Sequence, residues 1–298
     1  PLTGAPALQE AVAGAWTRLV EHVAKSVAGT GPVFCDALVG HSDSEREQHT
    51  FAAPQWAAGR FAVAGINTYL AHLQPADGSD ARSHTLRGAC AATDGVLSGY
   101  VGDAAVVNAI AEAVTAIKAA NPRALFCCDP VMGNERRELF VPAPVAQAIG
   151  EELVPLADIA TPNRFELAHL TGRDADTPAA ALDAADALAA TGPGIVVCTS
   201  LPMADGIGVL ARAEAGAWLV RTPRLEVAAN GAGDVFAAIL FARLLAGADL
   251  ARALILAVSA VFAVLEATRA AGAQELALIA AQDRIADPDR LFGAERLR

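Results

Sequence analysis

The stretch DGVLSGYVGDAAVVNAIAEAVTAIKAANPRALFCCD, residues 94–129, sets two short apolar runs on either side of one segment with helical periodicity. DGVLSGYV (94–101) reads as a buried strand. In DAAVVNAIAEAVTAIKAA (103–120) apolar residues recur at helical spacing, and Asp103 stands where a helix cap is needed. ALFCCD (124–129) is a second apolar run that ends in an acid. The alternation continues outward: helix over 143–155, short strand over 157–161, helix over 163–172 stopping at Gly172, helix over 178–192, strand over 194–200. Two further strands are expected near 206–212 and 216–222, then helices over 233–246, 249–270 and near 273–284. Strands alternating with helices predict an α/β fold with a parallel sheet covered on both faces.

Composition narrows the function classes. The chain has 298 residues, 54% of them hydrophobic, and a formal net charge of −11, so a sizeable core is expected. The acidic balance argues against nucleic acid as a partner, because phosphate backbones require clustered Lys and Arg. It leaves room for a phosphorylated ligand held by backbone N–H groups and a metal. Cysteines at 35, 90, 127, 128 and 198 are odd in number and fit neither a zinc site nor a disulfide framework, which points to reduced thiols and a cytoplasmic setting. PLTGAPALQE at the start lacks a basic region followed by an apolar stretch, so no signal peptide is expected. Residues 250–265 are apolar, but Arg252 and Glu266 bracket too short a run for a bilayer span, and no membrane association is expected. No internal repeat or linker interrupts the chain, which favours one domain over 1–298. The first 92 residues are less regular: 7–27 has helical character, HSDSEREQHT (41–50) is too charged for a core strand, and ADGSDARSHT (76–85) has the composition of a loop. Residues 1–60 are expected to be the least regular part.

In parallel α/β sheets, ligands sit beyond the carboxyl ends of the strands. Asp129, Thr161 and Thr199 each fall at such an end. AANGAGDVFAAIL (228–240) adds a glycine turn, Gly231–Ala232–Gly233, then Asp234, then an apolar helix. The N–H groups of such a turn at a helix start can hold anionic charge, and Asp234 could take a proton from an attacking hydroxyl. Asp234 is equally compatible with a helix cap after a glycine turn, and Asp129 with a strand-terminating cap. In TPNRFELAHLTG, Thr161 and Asn163 stand at a helix start and Glu166 one turn in. Thr161 to Glu166 reads either as a capping arrangement or, through Glu166, as a water-mediated Mg²⁺ contact. The six histidines are scattered and offer no metal cluster; there is no P-loop and no strand-bound Gly-x-Gly-x-x-Gly.

Taken in order, LSGYVGD, ANPRALFCCDPVMGN, DIATPNRFELAHLTG, GPGIVVCTS and NGAGD resemble the motifs of the pyridoxal kinases, members of the ribokinase-like superfamily. The resemblance covers about 93–292. It implies a three-layer α/β/α sandwich on a mostly parallel central sheet, and transfer of the ATP γ-phosphate to the 5′-hydroxyl of pyridoxal. It also implies a cytosolic homodimer, Mg²⁺ with the nucleotide, and room for a monovalent cation such as K⁺. By resemblance Asp234 matches the catalytic base and Gly231, Ala232 and Gly233 the anion hole. Asp129 and Glu166 match acids near the ATP–Mg²⁺ phosphates, Thr161, Asn163 and Thr199 the ATP-side polar residues, and Tyr100 an aromatic near the pyridoxal ring. Toward the N-terminus, His49, Thr50 and Trp56 are retained, Glu21 stands where a substrate-contacting Ser is expected, and Asn134 stands where many members carry an acid.

Two other functions fit the same residues. One is a kinase of this superfamily for another hydroxymethyl heterocycle, such as a thiamine-precursor pyrimidine. The other is a non-catalytic nucleotide-binding relative, suggested by the altered segment 20–56 and opposed by the retention of Asp234 with its glycines.

Overall fold

The structure, a computed structural model, describes residues 61–64, 93–227 and 230–298. Eight strands form one sheet in the order β1 (Phe61–Ala64), β2 (Gly95–Ser98), β3 (Leu125–Cys128), β6 (Ile159–Ala160), β7 (Ile195–Met203), β8 (Gly206–Ala213), β9 (Gly216–Pro223) and β10 (Ala294–Arg296). The run from β1 to β7 is parallel, and β7 to β10 is antiparallel. A small hairpin, β4 (Gly133–Asn134) with β5 (Glu138–Leu139), stands apart from the sheet. The antiparallel half follows from chain length, since β7, β8 and β9 are joined by two-residue turns and a parallel crossover needs about a dozen residues.

Side-chain alternation along the strands builds the layers. Val96, Phe126, Cys128, Ala160, Val196 and Cys198 face one core, shared with α1 (Ala104–Ala120), α2 (Ala143–Ala148), α3 (Arg164–Thr171) and α4 (Pro178–Ala189). Leu97, Cys127 and Ile159 face the other way, against Ala237 and Phe241 of α5 (Ala232–Leu245). Val197, Val209, Ala211 and Val220 continue that second face under α5 and α6 (Leu250–Ala271). The neighbouring thiols Cys127 and Cys128 therefore lie on opposite sides of the sheet, both buried and unbridged. The expected α/β/α arrangement with a mostly parallel sheet is what the chain adopts.

Local chemistry sets the helix limits. Asp103 caps α1 by accepting from Ala105 N at 2.7 Å, and Val107, Ile110 and Val114 form its buried stripe. Thr177 caps α4, with Pro178 in its first turn. α3 ends at Gly172 and α6 at Gly272, both left-handed.

Several expectations need correction. The helix expected over 143–155 is α-helical only to Ala148; it then widens to a π turn over Ile149–Leu153 and tightens to a 3₁₀ turn over Val154–Leu156. Pro155 lacks the N–H that would continue the ladder. The helix expected near 273–284 is reduced to α7, Gln282–Ala286, because the Thr268 hydroxyl accepts from Ala277 N at 3.0 Å and turns the chain back along α6. β1 and β10 were not anticipated. α6, at 22 residues, is by length and composition alone apolar enough to cross a bilayer, contrary to the expectation. More than half of its most apolar window is buried within the protein, as in a core helix. The expectations for 7–27, 41–50, 76–85 and 1–60 as a whole lie outside the described residues.

Gly95 shows how tightly α5 presses on β2. A Cβ there would stand 2.8 Å from both Leu245 Cδ1 and Phe241 Cζ. Gly95→Ala is expected to destabilise the protein by about 1–3 kcal/mol through overpacking, read as a lowered denaturation midpoint with an unchanged m-value.

Candidate active site

The parallel strands deliver their polar residues to one edge. Ser98 ends β2 and leads into Gly99 and Tyr100; Cys128 ends β3 and leads into Asp129; Ala160 ends β6 and leads into Thr161. Asp129 N donates to Ser98 O at 2.9 Å and Thr161 N to Cys128 O at 3.0 Å, so the ladder extends one step past the strands. Pairing between β6 and β7 continues beyond Pro162 through an Asn163–Thr199 bridge, with Thr199 N donating to Pro162 O at 3.0 Å. A cleft of about 500 Å³ opens above this edge. Asp129, Thr161, Asn163, Glu166, Thr199, Tyr100, Gly231, Gly233 and Asp234 all line it. Ala232 does not line it; it is the first residue of α5.

Gly231 caps α5 in a left-handed conformation, φ 92°, that a side chain would resist. The turn places Asp234 in the first turn of the helix, where the exposed N–H groups favour negative charge. A Cβ on Gly99 would lie 3.6 Å from Asp234 Oδ1, so this carboxyl sits beside the end of β2. Asp234 is open to the cleft, yet loss of water around it raises its pKa above the ordinary carboxylate value.

Asp129 is buried, and its Oδ1 accepts from the Thr161 hydroxyl at 3.1 Å. Burial, then the nearby charges of Glu166 and Asp234, push its pKa well up, while the Thr161 hydroxyl opposes the shift. Glu166 is 2% exposed and already heavily engaged. Its Oε1 accepts from Met132 N at 2.8 Å and Gly133 N at 3.3 Å, and its Oε2 from Asn163 N at 2.9 Å. Asn163 Oδ1 accepts in return from Glu166 N at 3.0 Å. This closes a capping box between Asn163 and Glu166, so the cap pairs Glu166 with Asn163 rather than with Thr161. Burial raises the Glu166 pKa against the pull of those three backbone donors.

The DPVMGN loop reaches Glu166 at a cost. Val131 has φ 41°, a conformation β-branched residues avoid and one worth about 1–3 kcal/mol of strain. It precedes the two N–H groups, of Met132 and Gly133, that meet Glu166 Oε1. Gly133 is close to its neighbours: a Cβ there would fall 2.6 Å from Glu138 O. Asn163 Nδ2 donates to Gly133 O at 2.8 Å, and Arg164 pairs with Glu135 and Asp176.

A Mg²⁺ ion fits this donor set only in part. One oxygen of Asp129 has no hydrogen-bond donor among the described residues, whereas Glu166 has little capacity left and can reach a cation only through water. Among the described residues no group of three or more His, Cys, Asp and Glu is placed to hold a metal. A cation here would rely on a ligand's phosphate oxygens. Asn134 brings no charge, and its Oδ1 accepts from Arg136 N and Arg137 N at 3.0 and 3.1 Å.

Glu21, His49, Thr50 and Trp56 lie outside the described residues. Five lining residues were not singled out from sequence: Val131, Gly133, Arg137, Phe140 and Asn230. Phe140 faces Tyr100 with ring centroids 6.4 Å apart. The available signal was the charged run NERRE directly after the Asp129 loop, followed by an isolated LF pair.

The family model for phosphomethylpyrimidine kinase matches residues 91–278. A pyridoxal kinase PdxY of Rubrobacter xylanophilus is 45% identical over 216 residues, 71% of this chain and 74% of that protein. A pyridoxal kinase PdxY of Deinococcus radiodurans is 44% identical over 221 residues, with the same coverages of 71% and 74%. The chain belongs to the pyridoxal kinase family. The solved pyridoxal kinase of Leishmania donovani in complex with ADP and pyridoxine superposes with a TM-score of 0.66 at 28% identity, covering 73% of this chain and 79% of that one. The family match, like the resemblance noted from motifs, begins close to residue 93 and includes every described residue of the cleft.

Proposed function

We propose that the chain transfers the γ-phosphoryl group of ATP to the 5′-hydroxyl of pyridoxal or a close vitamer. The observation that carries this reading is the placement of Asp234 in the first turn of α5, behind a left-handed glycine and across one cleft from Asp129 and Glu166. The family membership and the ADP and pyridoxine complex of the Leishmania relative support it. In the step, the substrate oxygen forms a bond to the γ-phosphorus as the bond from that phosphorus to the β,γ-bridging oxygen breaks. The hydroxyl proton passes to Asp234, and the electron pair leaves on ADP. The N–H groups of Gly231 and Gly233, the two residues of the glycine turn that line the cleft, meet the charge spread over the transferred group. Asp129 would hold Mg²⁺ directly and Glu166 through water; when bound, the ion neutralises phosphate charge and fixes its direction. Thr161, Asn163 and Thr199 supply the polar wall on the nucleotide side, and Tyr100 with Phe140 an apolar wall for a heteroaromatic ring. His49, Thr50 and Glu21 belong to the substrate side by resemblance alone, as do the homodimer, the cytoplasmic setting and K⁺.

The match to the phosphomethylpyrimidine kinase family supports a second reading, a substituted pyrimidine such as the hydroxymethylpyrimidine as substrate. Phosphotransfer from ATP with Mg²⁺ to pyridoxal, pyridoxine, pyridoxamine and hydroxymethylpyrimidine separates the two. The expected result is a kcat/KM for at least one B6 vitamer well above that for the pyrimidine. The reverse order would reassign the substrate, and ATP binding without any transfer would make the chain a non-catalytic relative.

A further inference from the structure

The cleft has a charge imbalance. Asp129, Glu166 and Asp234 contribute three carboxyl groups, and Arg137 is the single Lys or Arg among the described residues that line it. Arg137 is exposed and forms no ion pair with any described residue, while Arg164 nearby is shared between Glu135 and Asp176.

The arginine is carried on a fixed arm. It occupies the tip of the β4–β5 hairpin, in which Gly133 pairs with Leu139 and Asn134 with Glu138. Arg137 N donates both to Asn134 O at 3.2 Å and to Asn134 Oδ1 at 3.1 Å. Glu138, next along, is held at φ 54°, a left-handed turn that reverses the strand. Phe140 N closes the return by donating to Met132 O at 3.1 Å. The root of the hairpin, Met132 and Gly133, is bonded to Glu166 and Asn163, which themselves line the cleft. The backbone of Arg137 is thus tied to the wall of the cleft, while no described residue pairs with its guanidinium.

A guanidinium without an ion-pair partner among the described residues, on the wall of a cleft, suits a multiply charged anion. Its planar fork binds two phosphate oxygens at once, which a lysine cannot match. We propose that Arg137 grips the terminal phosphate of the nucleotide, so that the β4–β5 hairpin makes the cleft selective for nucleoside triphosphate over monophosphate. This rests on the phosphotransfer reading and deepens it. Arg137 enters no bond-making step; it neutralises and orients the group being transferred.

Calorimetric titration of the full chain with AMP, ADP and the β,γ-imido analogue of ATP, each with Mg²⁺, tests it on wild type, Arg137→Met and Arg137→Lys. In Arg137→Met the imido analogue is expected to bind about 10-fold or more weakly, ADP less affected and AMP unchanged, with Arg137→Lys recovering part of the loss. Turnover of Arg137→Met is expected to fall about 10²-fold, with the KM for the vitamer and the thermal midpoint unchanged. Equal losses for AMP and the imido analogue, no loss for either, or a wild-type protein that binds none of the three would overturn the assignment. If the wild type phosphorylates no vitamer, the phosphotransfer reading fails, and the binding series still decides the role of Arg137.

Discussion

Asp234→Asn is expected to lower kcat by about 10²-fold or more while the protein stays folded and keeps its nucleotide affinity. The amide matches the carboxyl in size, so the Gly231 turn and the first turn of α5 should survive. The side chain is open to the cleft and buries no core contact, so loss of its charge near the helix start costs at most about 1 kcal/mol. The pH profile gives a second reading of the same residue. Loss of water around the carboxyl lifts the Asp234 pKa above its ordinary 3.8, and only the ionised form accepts a proton. Activity is therefore lost as pH falls through the raised value, at a higher pH than a free carboxyl would give. The residual activity of Asp234→Asn should lack that acidic limb. Turnover, its pH profile and thermal unfolding measured together decide the matter: an unchanged kcat in a folded variant removes the base from the mechanism.

Glu166→Ala is expected to cost about 2–5 kcal/mol of stability in the absence of any ligand. The substitution strips the acceptor from Met132 N, Gly133 N and Asn163 N together, in a nearly buried site. Each buried donor left without a partner costs about 1–3 kcal/mol, and removing a carboxyl that burial already penalises returns part of the total. Glu166→Gln preserves the shape and one acceptor oxygen but turns an amide N–H₂ toward a donor, so about 1–2 kcal/mol is expected. Urea denaturation of the ligand-free proteins is the measurement. If Glu166 served only to hold a cation, removing its charge beside Asp129 and Asp234 would leave ligand-free stability unchanged or raised, the opposite sign.

Sequence patterns carried the layered fold where the physics is local or strictly periodic. Apolar runs such as LFCC and IVVC, bounded by turn residues, form buried strands, and Asp103 caps α1 by a contact two residues away. The same locality exposed Asp129, Thr161, Thr199 and Asp234, because a polar residue at the end of an apolar run has few places to go. The hairpin over the cleft was hidden for the converse reason. Its strands are two residues each, too short for any period, and its course depends on Val131 and Glu138 adopting left-handed conformations that their own side chains oppose. Bonds to Glu166 and Asn163, some thirty residues along the chain, and the pairing of Arg164 with Glu135 hold it there. Glu166 itself was legible as either a cap or a cation contact, and local sequence could not rank them; the three donors converging on it come from two separate segments.

The close seating of Phe241 and Leu245 against Gly95 bears on the order in which the molecule can be assembled. On the ribosome, β2, β3 and β6 emerge before α5, the helix that among the described residues covers one side of them. The antiparallel meander of β7, β8 and β9 closes through nearest neighbours and can form as soon as it is out. The parallel half must instead wait for a distant helix, with Leu97, Cys127 and Ile159 exposed to solvent in the interval. Maturation of the catalytic edge is thereby tied to the last stages of synthesis. A chain that stalls before α5 would present a sticky sheet face, a natural substrate for chaperones, instead of a partly working enzyme.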